Sequence, residues 1–181
     1  MIGESSAATA STDKSFVVDS SEPSFLALAA KVFWGSMPAR TVAIVACCPR
    51  EGTTFVGAAL EAFLLGEGKT AVSLVSAERF LASASDRSSV DHWDPASNQR
   101  VTSAGDEIVL IDCPALFFSS FAIRLSPHVD GFLLVIEDGA RSKSEIQRAA
   151  GMIEAAEGRI LGIILNKRRY LLPDWLYSLL S

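Results

Sequence analysis

The residues most able to do chemistry lie together in one short turn. It reads Cys47-Cys48-Pro49-Arg50-Glu51-Gly52-Thr53-Thr54. This turn can be compared with the pattern G-x-x-x-x-G-K-[ST], in which backbone N–H groups and a lysine bind nucleotide phosphates and a hydroxyl binds magnesium. Gly52 and Thr54 fit the pattern, but Thr53 stands where the lysine belongs. The turn therefore predicts an anion-binding loop that lacks its main cation.

The elements on either side of this turn should hold it in place. An apolar run at 41–47 predicts a strand, and the pattern at 55–65 predicts a helix. The turn thus joins the end of a strand to the N-terminus of a helix. In that arrangement backbone N–H groups and the helix dipole face a bound anion.

Five apolar runs predict the strands of the fold. They are residues 41–47, 70–75, 107–111, 130–136 and 159–165. The runs are continuous rather than alternating, which is typical of strands buried on both faces. Helical patterns lie between them, notably at 143–156. Strands that alternate with helices predict an α/β fold, with a parallel β-sheet flanked by helices on both faces.

The chain is predicted to be one domain with a tail in front of it. Residues 1–21 are rich in Ser, Ala, Thr and Asp and have few large apolar groups, so we expect a disordered N-terminal tail. The domain covers residues 22–181 and begins with a helix predicted over 24–34 from apolar spacings of three and four. Residues 83–105, rich in Ser, Asp and Asn, predict a long loop.

Composition and charge argue against several classes of protein. The formal charge of −5 disfavours a nucleic-acid binder, whose affinity would rest on neutralising phosphates. Three cysteines, two of them adjacent, favour a reducing compartment over a disulfide framework. The N-terminus lacks a signal-peptide pattern, and no apolar stretch reaches the roughly 20 residues that span a bilayer. We therefore expect a cytoplasmic protein with no direct membrane span.

Several motifs together resemble the bacterial tyrosine kinase (BY-kinase) family. The loop Pro49-x-Glu51-Gly52-x-Thr54 resembles the P-G-E-G-K-[ST] turn of that family, and residues 108–114 resemble its Walker B strand, an apolar run followed by D-x-P. Residues 130–135 and 161–167 are similar to its last two strands. BY-kinases are cytoplasmic regulators of capsule and exopolysaccharide export, related to MinD and ParA ATPases. The resemblance therefore implies a P-loop NTPase fold of the MinD/ParA type.

The resemblance also implies which residues would hold a nucleotide. The candidates in the phosphate loop are Arg50, Glu51, Gly52, Thr53 and Thr54. Asn166 corresponds to the residue that contacts adenine in such relatives. Thr54 and Asp112 correspond to the pair that holds magnesium, so the ligand would be Mg-ATP or Mg-ADP. Both also have a structural interpretation, because a threonine can cap a helix and an aspartate can hydrogen-bond a neighbouring loop.

The sequence departs from the family at positions that carry charge. Thr53 replaces the lysine that reaches the β and γ phosphates, and Cys48 aligns with a second lysine of MinD-type relatives. Ser76 and Glu78 align with a D-x-D pair, so one of two carboxylates is missing. Preorganised charge is usually the main catalytic term in phosphoryl transfer. We therefore expect no catalytic residue, a vestigial nucleotide site, and little or no ATPase or kinase activity.

Two assembly features of the family are missing as well. The first helix lacks the E-x-x-R-x-x-R arrangement that pairs subunits into rings, so ring assembly by that route is not expected. The C-terminus holds only Tyr170 and Tyr177 in place of a tyrosine cluster. Residues 171–180 instead predict a short apolar helix that either docks on the domain or meets a partner. Whether the chain forms a homo-oligomer is left open.

Three functional hypotheses remain. The first is a degenerate BY-kinase-like regulatory or scaffold module that attaches to a membrane-anchored polysaccharide chain-length or export protein. The second is an active ATP-dependent tyrosine autokinase or ATPase, in which Arg50 supplies the charge missing at Thr53. The third is a MinD-like or ParA-like positioning protein, which the Pro-x-Glu-Gly turn disfavours.

Overall fold

The structure is built on one sheet of parallel strands. The computed structural model describes residues 17–19, 22–68, 71–84 and 107–167. The strands are β1 (Val17–Asp19), β2 (Thr41–Ala46), β3 (Val72–Ser76), β4 (Ile108–Asp112), β5 (Gly131–Glu137) and β6 (Ile160–Asn166). All pairings are parallel, and the strand order is β1-β6-β5-β2-β4-β3. The predicted α/β class with a parallel sheet is confirmed.

Helices cover both faces of this sheet. They are α1 (Glu22–Val32), α2 (Thr53–Gly66), α3 (Ala77–Ala84), α4 (Phe121–Leu125) and α5 (Lys143–Ala155), with one 3-10 turn at Ser126–His128. The first two helices pack on the face that carries Val42 and Ile44. The other three pack on the face that carries Ala43 and Val45. No helix of the described residues is long and apolar enough to cross a bilayer.

Most elements lie where the sequence predicts them. Each of the five predicted strands, and each of the three helices predicted within the described residues, is present with bounds shifted by at most two residues. Two helices were missed. The first, α3, buries Ala77, Phe80 and Leu81, whose spacing of three and four was a usable signal. The second, α4, has five residues, too few to show a period.

The prediction of a disordered tail over 1–21 is wrong for Val17–Asp19. These residues form β1 and pair with β6, with Val18 opposite Ile164. Two adjacent valines favour an extended backbone, and pairing satisfies their peptide groups. The predicted loop at 83–105 is likewise wrong at its first two residues, which end α3. The rest of the predicted tail, the remainder of that loop and residues 171–180 lie outside the described residues.

Two carboxylates stabilise the ends and the edge of the sheet. Asp130 Oδ2 accepts hydrogen bonds from the backbone N–H groups of Arg40 (2.6 Å) and Thr41 (2.8 Å), which joins the starts of β2 and β5. Glu61, on α2, accepts a hydrogen bond from the backbone N–H of Leu74 at 3.0 Å. Since β3 ends the strand order, this second carboxylate satisfies a backbone donor of an edge strand.

Candidate functional site

The loop between β2 and α2 has the backbone of a tight phosphate loop. Two of its residues have positive φ, Arg50 at 70° and Gly52 at 99°. A side chain at position 52 would displace the Asn166 amide, because a Cβ atom there would lie 2.2 Å from Asn166 Nδ2. With its φ of 70°, Arg50 takes a left-handed conformation, which costs a non-glycine residue about 1–2 kcal/mol. The loop therefore keeps a glycine-type turn in spite of its arginine.

Glu51 anchors the loop from within. Its side chain is 1% exposed, and Oε2 accepts a hydrogen bond from the Cys47 N–H at 3.0 Å. Oε1 accepts a hydrogen bond from Nε of Arg141, which lies before α5. This ion pair raises the pKa of the Arg141 guanidinium, chiefly through the hydrogen bond to Glu51. The second guanidinium contact runs from Nη1 to Glu145 at 3.3 Å.

Residues at the C-terminal end of β6 also hold the loop. Asn166 is 4% exposed, and its Nδ2 donates a hydrogen bond to the backbone carbonyl of Glu51 at 2.9 Å. The ammonium of Lys167 donates to the carbonyl of Arg50 and to Glu137 Oε2, the latter at 2.9 Å. The expected adenine contact of Asn166 stays a prediction, whereas its contact with the loop is observed. Side chains that are distant in sequence thus fix the loop.

The predicted magnesium pair is assembled in the structure. Thr54 Oγ1 donates a hydrogen bond to Asp112 Oδ2 at 2.6 Å. Within the described part of the chain, Asp112 Oδ1 is buried and has no hydrogen-bond partner. The N-cap of α2 is Gly52, without a side-chain cap, so Thr54 does not serve as that cap. A hydroxyl and a carboxylate are hard oxygen donors of the kind magnesium prefers, so these two residues fit that ion.

A cleft of about 440 Å³ opens above the loop. Its lining includes the phosphate loop together with Ser76, Glu78, Asp112 and Phe118. Ser76 and Glu78 are exposed at the start of α3, and the Ser76 hydroxyl accepts a hydrogen bond from the Arg79 N–H at 3.3 Å. Ser76 thus hydrogen-bonds the start of a helix, at a position where the sequence motifs of BY-kinases would have a carboxylate.

The charges around the cleft suit a cation better than a polyphosphate. Among its described lining residues Arg50 is the cation, and the lining also holds the carboxylates of Glu78 and Asp112, while the charge of Glu51 is matched by Arg141. Thr53 contributes no charge. The residues present therefore fit the magnesium ion of a nucleotide complex but do not neutralise its phosphates as a loop lysine would.

Two cysteines near the site, Cys47 and Cys113, are not activated nucleophiles. Burial raises the pKa of the Cys47 thiol to about 12, and nearby Glu51 adds to the rise. Burial also raises the pKa of Cys113, whose neighbour Asp112 acts in the same direction. A nucleophilic cysteine needs a lowered pKa. Covalent catalysis by these two thiols is therefore disfavoured.

Sequence reasoning missed the two cations that hold the loop. Lys167 directly follows β6, and neither the motif over 161–167 nor the basic residues that follow it indicate a contact with the loop. Arg141 had no signal, because it lies 90 residues after Glu51 in sequence and the two meet only through the fold. The predicted residues Arg50 to Thr54, Asp112 and Asn166 are brought together at the C-terminal ends of the strands.

Solved structures show what this chain is similar to. The chimerical protein CapA2B2 has a TM-score of 0.63 and 14% identity, covering 82% of this chain and 85% of that one. The kinase domain of the Escherichia coli tyrosine kinase ETK has a TM-score of 0.53 and 19% identity, covering 75% and 71%. A nucleotide-binding protein from Archaeoglobus fulgidus in complex with ADP has a TM-score of 0.50 and 14% identity, covering 85% and 74%. No family model and no curated protein matches the sequence.

The sheet, the loop before α2 and these similarities define a P-loop NTPase-like α/β domain. More narrowly, the chain has the fold of bacterial tyrosine kinase domains, since the kinase domains of BceF and VpsO match it as well. The resemblance expected from the sequence motifs is confirmed at the level of the fold.

Proposed function

We propose that this chain is a degenerate BY-kinase-like module, a regulator or scaffold of exopolysaccharide biosynthesis or export with little or no ATPase or kinase activity. The observation that carries the proposal is the state of the phosphate loop. Its backbone is shaped and held by Glu51, Asn166 and Lys167, yet the residue before Thr54 is the uncharged Thr53. The loop keeps its architecture and lacks its catalytic charge.

The electrostatic stabilisation that a loop lysine would supply, and that Thr53 does not, supports this proposal by its size. Two unit charges about 4 Å apart interact by about 4 kcal/mol at the effective dielectric of a protein surface. Each 1.36 kcal/mol of lost transition-state stabilisation lowers a rate about tenfold. An absent lysine therefore costs about three powers of ten in phosphoryl transfer. The carboxylates of Glu78 and Asp112 add repulsion unless magnesium neutralises them.

The proposal includes a cytoplasmic site of action and a membrane-anchored partner. The partner is a polysaccharide chain-length or export protein, because the resemblance of the sequence motifs to BY-kinases implies one. Phe118, at the cleft, is 73% exposed and offers an apolar contact to it. A module of this kind acts by binding its partner rather than by hydrolysing ATP, so its function depends on the surface around the inactive cleft.

Repair of the loop tests the proposal. We expect calorimetric titration with Mg-ATP to show very weak binding by the parent chain and tighter binding by Thr53→Lys. Thr53→Met is the matched control, because it adds length without charge. The double variant Arg50→Gly with Thr53→Lys also relieves the backbone strain at position 50 and should bind most tightly.

Two outcomes would contradict the proposal that the nucleotide site is inactive because it lacks a charge. One is ATP turnover by the parent chain at the rate of an ordinary P-loop ATPase, lost in Asp112→Ala. The other is equal gain in Thr53→Met and Thr53→Lys, which would show that charge is not what the loop lacks. No binding in any variant would mean that the cleft is closed to nucleotide and would leave a purely structural module.

Arg50 favours a second candidate function, an active ATPase or tyrosine autokinase with an atypical loop. Its side chain is exposed and lines the cleft, and its carbonyl is fixed by Lys167. Under this alternative Arg50 supplies the charge missing at Thr53. Phosphate release and autophosphorylation by the purified chain, both abolished in Arg50→Ala and retained in Arg50→Lys, would establish it.

A further inference from the structure

The outer face of α2 is apolar and exposed. This helix buries Val56, Leu60 and Leu64 against the sheet. Its other side presents four exposed apolar residues, spaced by three, four and three positions as on one side of a helix: Phe55, Ala58, Ala62 and Leu65. The two larger side chains, Phe55 and Leu65, are 64% and 47% exposed. A helix that is apolar on nearly every side is normally buried, so this face favours an interaction surface.

The face carries no charge. The one charged residue of α2, Glu61, directs its carboxylate to the sheet edge, where it accepts a hydrogen bond from the Leu74 N–H at 3.0 Å. The neighbouring helix α1 adds the exposed Leu26 beside a contact of Phe25 with Phe63, whose ring centres are 6.2 Å apart. Helices that lie on membranes carry Lys and Arg along their polar side, and α2 has neither. Because the whole chain carries −5, a second copy approaches most easily through a surface free of its own charges.

The spacing of the exposed residues also favours a second copy. The four positions are symmetric about position 60, with Phe55 and Leu65 at the ends and Ala58 and Ala62 between them. In a twofold interface both copies use the same patch, so that each contact occurs twice. An antiparallel pair of α2 helices centred on position 60 therefore brings Phe55 of each copy to the level of Leu65 in the other. The small alanines let the two helices approach closely.

The size of the face suits a reversible dimer. The helix α2 has 14 residues and is therefore about 21 Å long. With α1 beside it, at about 10 Å for each helix, the face covers roughly 400 Å². Stable interfaces bury about 800 Å² on each partner, and smaller ones are typical of transient complexes. We therefore expect a dimer that forms and dissociates with concentration.

We propose that this chain forms a twofold dimer through the outer face of α2, with the two helices antiparallel. The dimer removes Phe55 and Leu65 of both copies from water. Because the phosphate loop precedes α2, antiparallel pairing directs the two clefts to opposite ends of the dimer and leaves both open. Dimerisation is thus independent of what the cleft binds.

Sedimentation equilibrium of the full chain, from micromolar to millimolar concentration, measures this association. We expect the average mass to rise from that of a monomer toward that of a dimer. Ala58→Glu places two like charges in the interface and should raise the dissociation constant by about tenfold or more. Ala155→Glu is the matched control, because Ala155 is exposed at the end of α5, on the other side of the sheet. This control should associate as the parent chain does.

A second variant keeps the test decisive if Ala58→Glu does not fold. Phe55→Glu lies in the first turn of α2, where a negative charge suits the helix dipole, so it should keep the circular dichroism spectrum and weaken the dimer. A parent chain that stays monomeric at millimolar concentration would overturn the proposal. So would an Ala155→Glu chain that dissociates as readily as Ala58→Glu.

Cysteine cross-linking tests the antiparallel arrangement. The background is Cys48→Ser, which removes the half-buried native thiol. Chains with Ala58→Cys are mixed with chains with Ala62→Cys under mild oxidation. Antiparallel pairing predicts several-fold more disulfide-linked dimer in the mixture than in either variant alone. A yield from Ala58→Cys alone that equals or exceeds the yield of the mixture would refute this arrangement.

Discussion

Removing the Arg141 guanidinium should destabilise the domain strongly. Arg141→Met keeps most of the apolar stem and deletes the charge, which leaves Glu51 buried with the Cys47 N–H as its remaining partner. Breaking a buried ion pair by removing one member costs about 3–5 kcal/mol. The Arg141 side chain is 23% exposed, so water replaces part of the lost contact. We therefore expect a loss near the lower end, about 3 kcal/mol, which corresponds to a Tm lower by roughly 6–12 °C.

A double-mutant cycle separates this ion pair from general effects of mutation. Glu51→Gln removes the buried charge, so Arg141→Met should cost much less in that background, with a coupling of about 2 kcal/mol. Urea unfolding of the four proteins measures each free energy. Arg148→Met is the control, because that guanidinium lies 4.9 Å from the ring centre of Phe117 and contributes at most about 1 kcal/mol. Additive effects in the cycle, or equal losses in Arg141→Met and Arg148→Met, would refute the reasoning.

Three further predictions concern the same region. Cys48, half-buried at the cleft, should be alkylated in the native protein before Cys47, whose pKa is raised. Peptide mass spectrometry measures the order of labelling, and preferential labelling of Cys47 would contradict the prediction. Hydrogen bonds from Ser142, first from its backbone N–H and then from its hydroxyl, lower the pKa of Glu145 below 4.5. The ionised Glu145 carboxylate therefore stabilises the fold above pH 4.5, and this stabilisation is lost as the pH falls through the lowered pKa. Glu145→Gln should therefore lower Tm at neutral pH, by a difference that closes in acid; a difference independent of pH would exclude this cause. Arg50→Gly should change the free energy of unfolding by less than about 1 kcal/mol, since relief of left-handed strain offsets the greater freedom of glycine in the unfolded chain. Arg50→Val should clearly lower the free energy of unfolding measured by urea titration.

The sequence predicts the layers of this fold well because their signals are local. Continuous apolar runs such as 130–136 indicate strands covered on both faces, and Gly52 between a strand and a helix locates the phosphate loop. Neither signal describes how the loop is held. The buried ion pair of Glu51 and Arg141 joins residues 90 positions apart, and no local sequence pattern indicates it. The strand β1 is equally hidden, because three residues give no period and their pairing with β6 forms only in the folded chain.

The hydrogen bond from Leu74 to Glu61 limits how copies of this chain can associate. An unpaired strand at the border of a sheet is a template on which another polypeptide can add a strand, the usual first step toward fibrils and domain-swapped aggregates. Here the carboxylate already occupies one donor of β3 and places a negative charge beside it. A second molecule adding a strand at this border would have to displace the glutamate and bury its charge. Within the described residues, self-association through continuation of the sheet is therefore disfavoured on the β3 side.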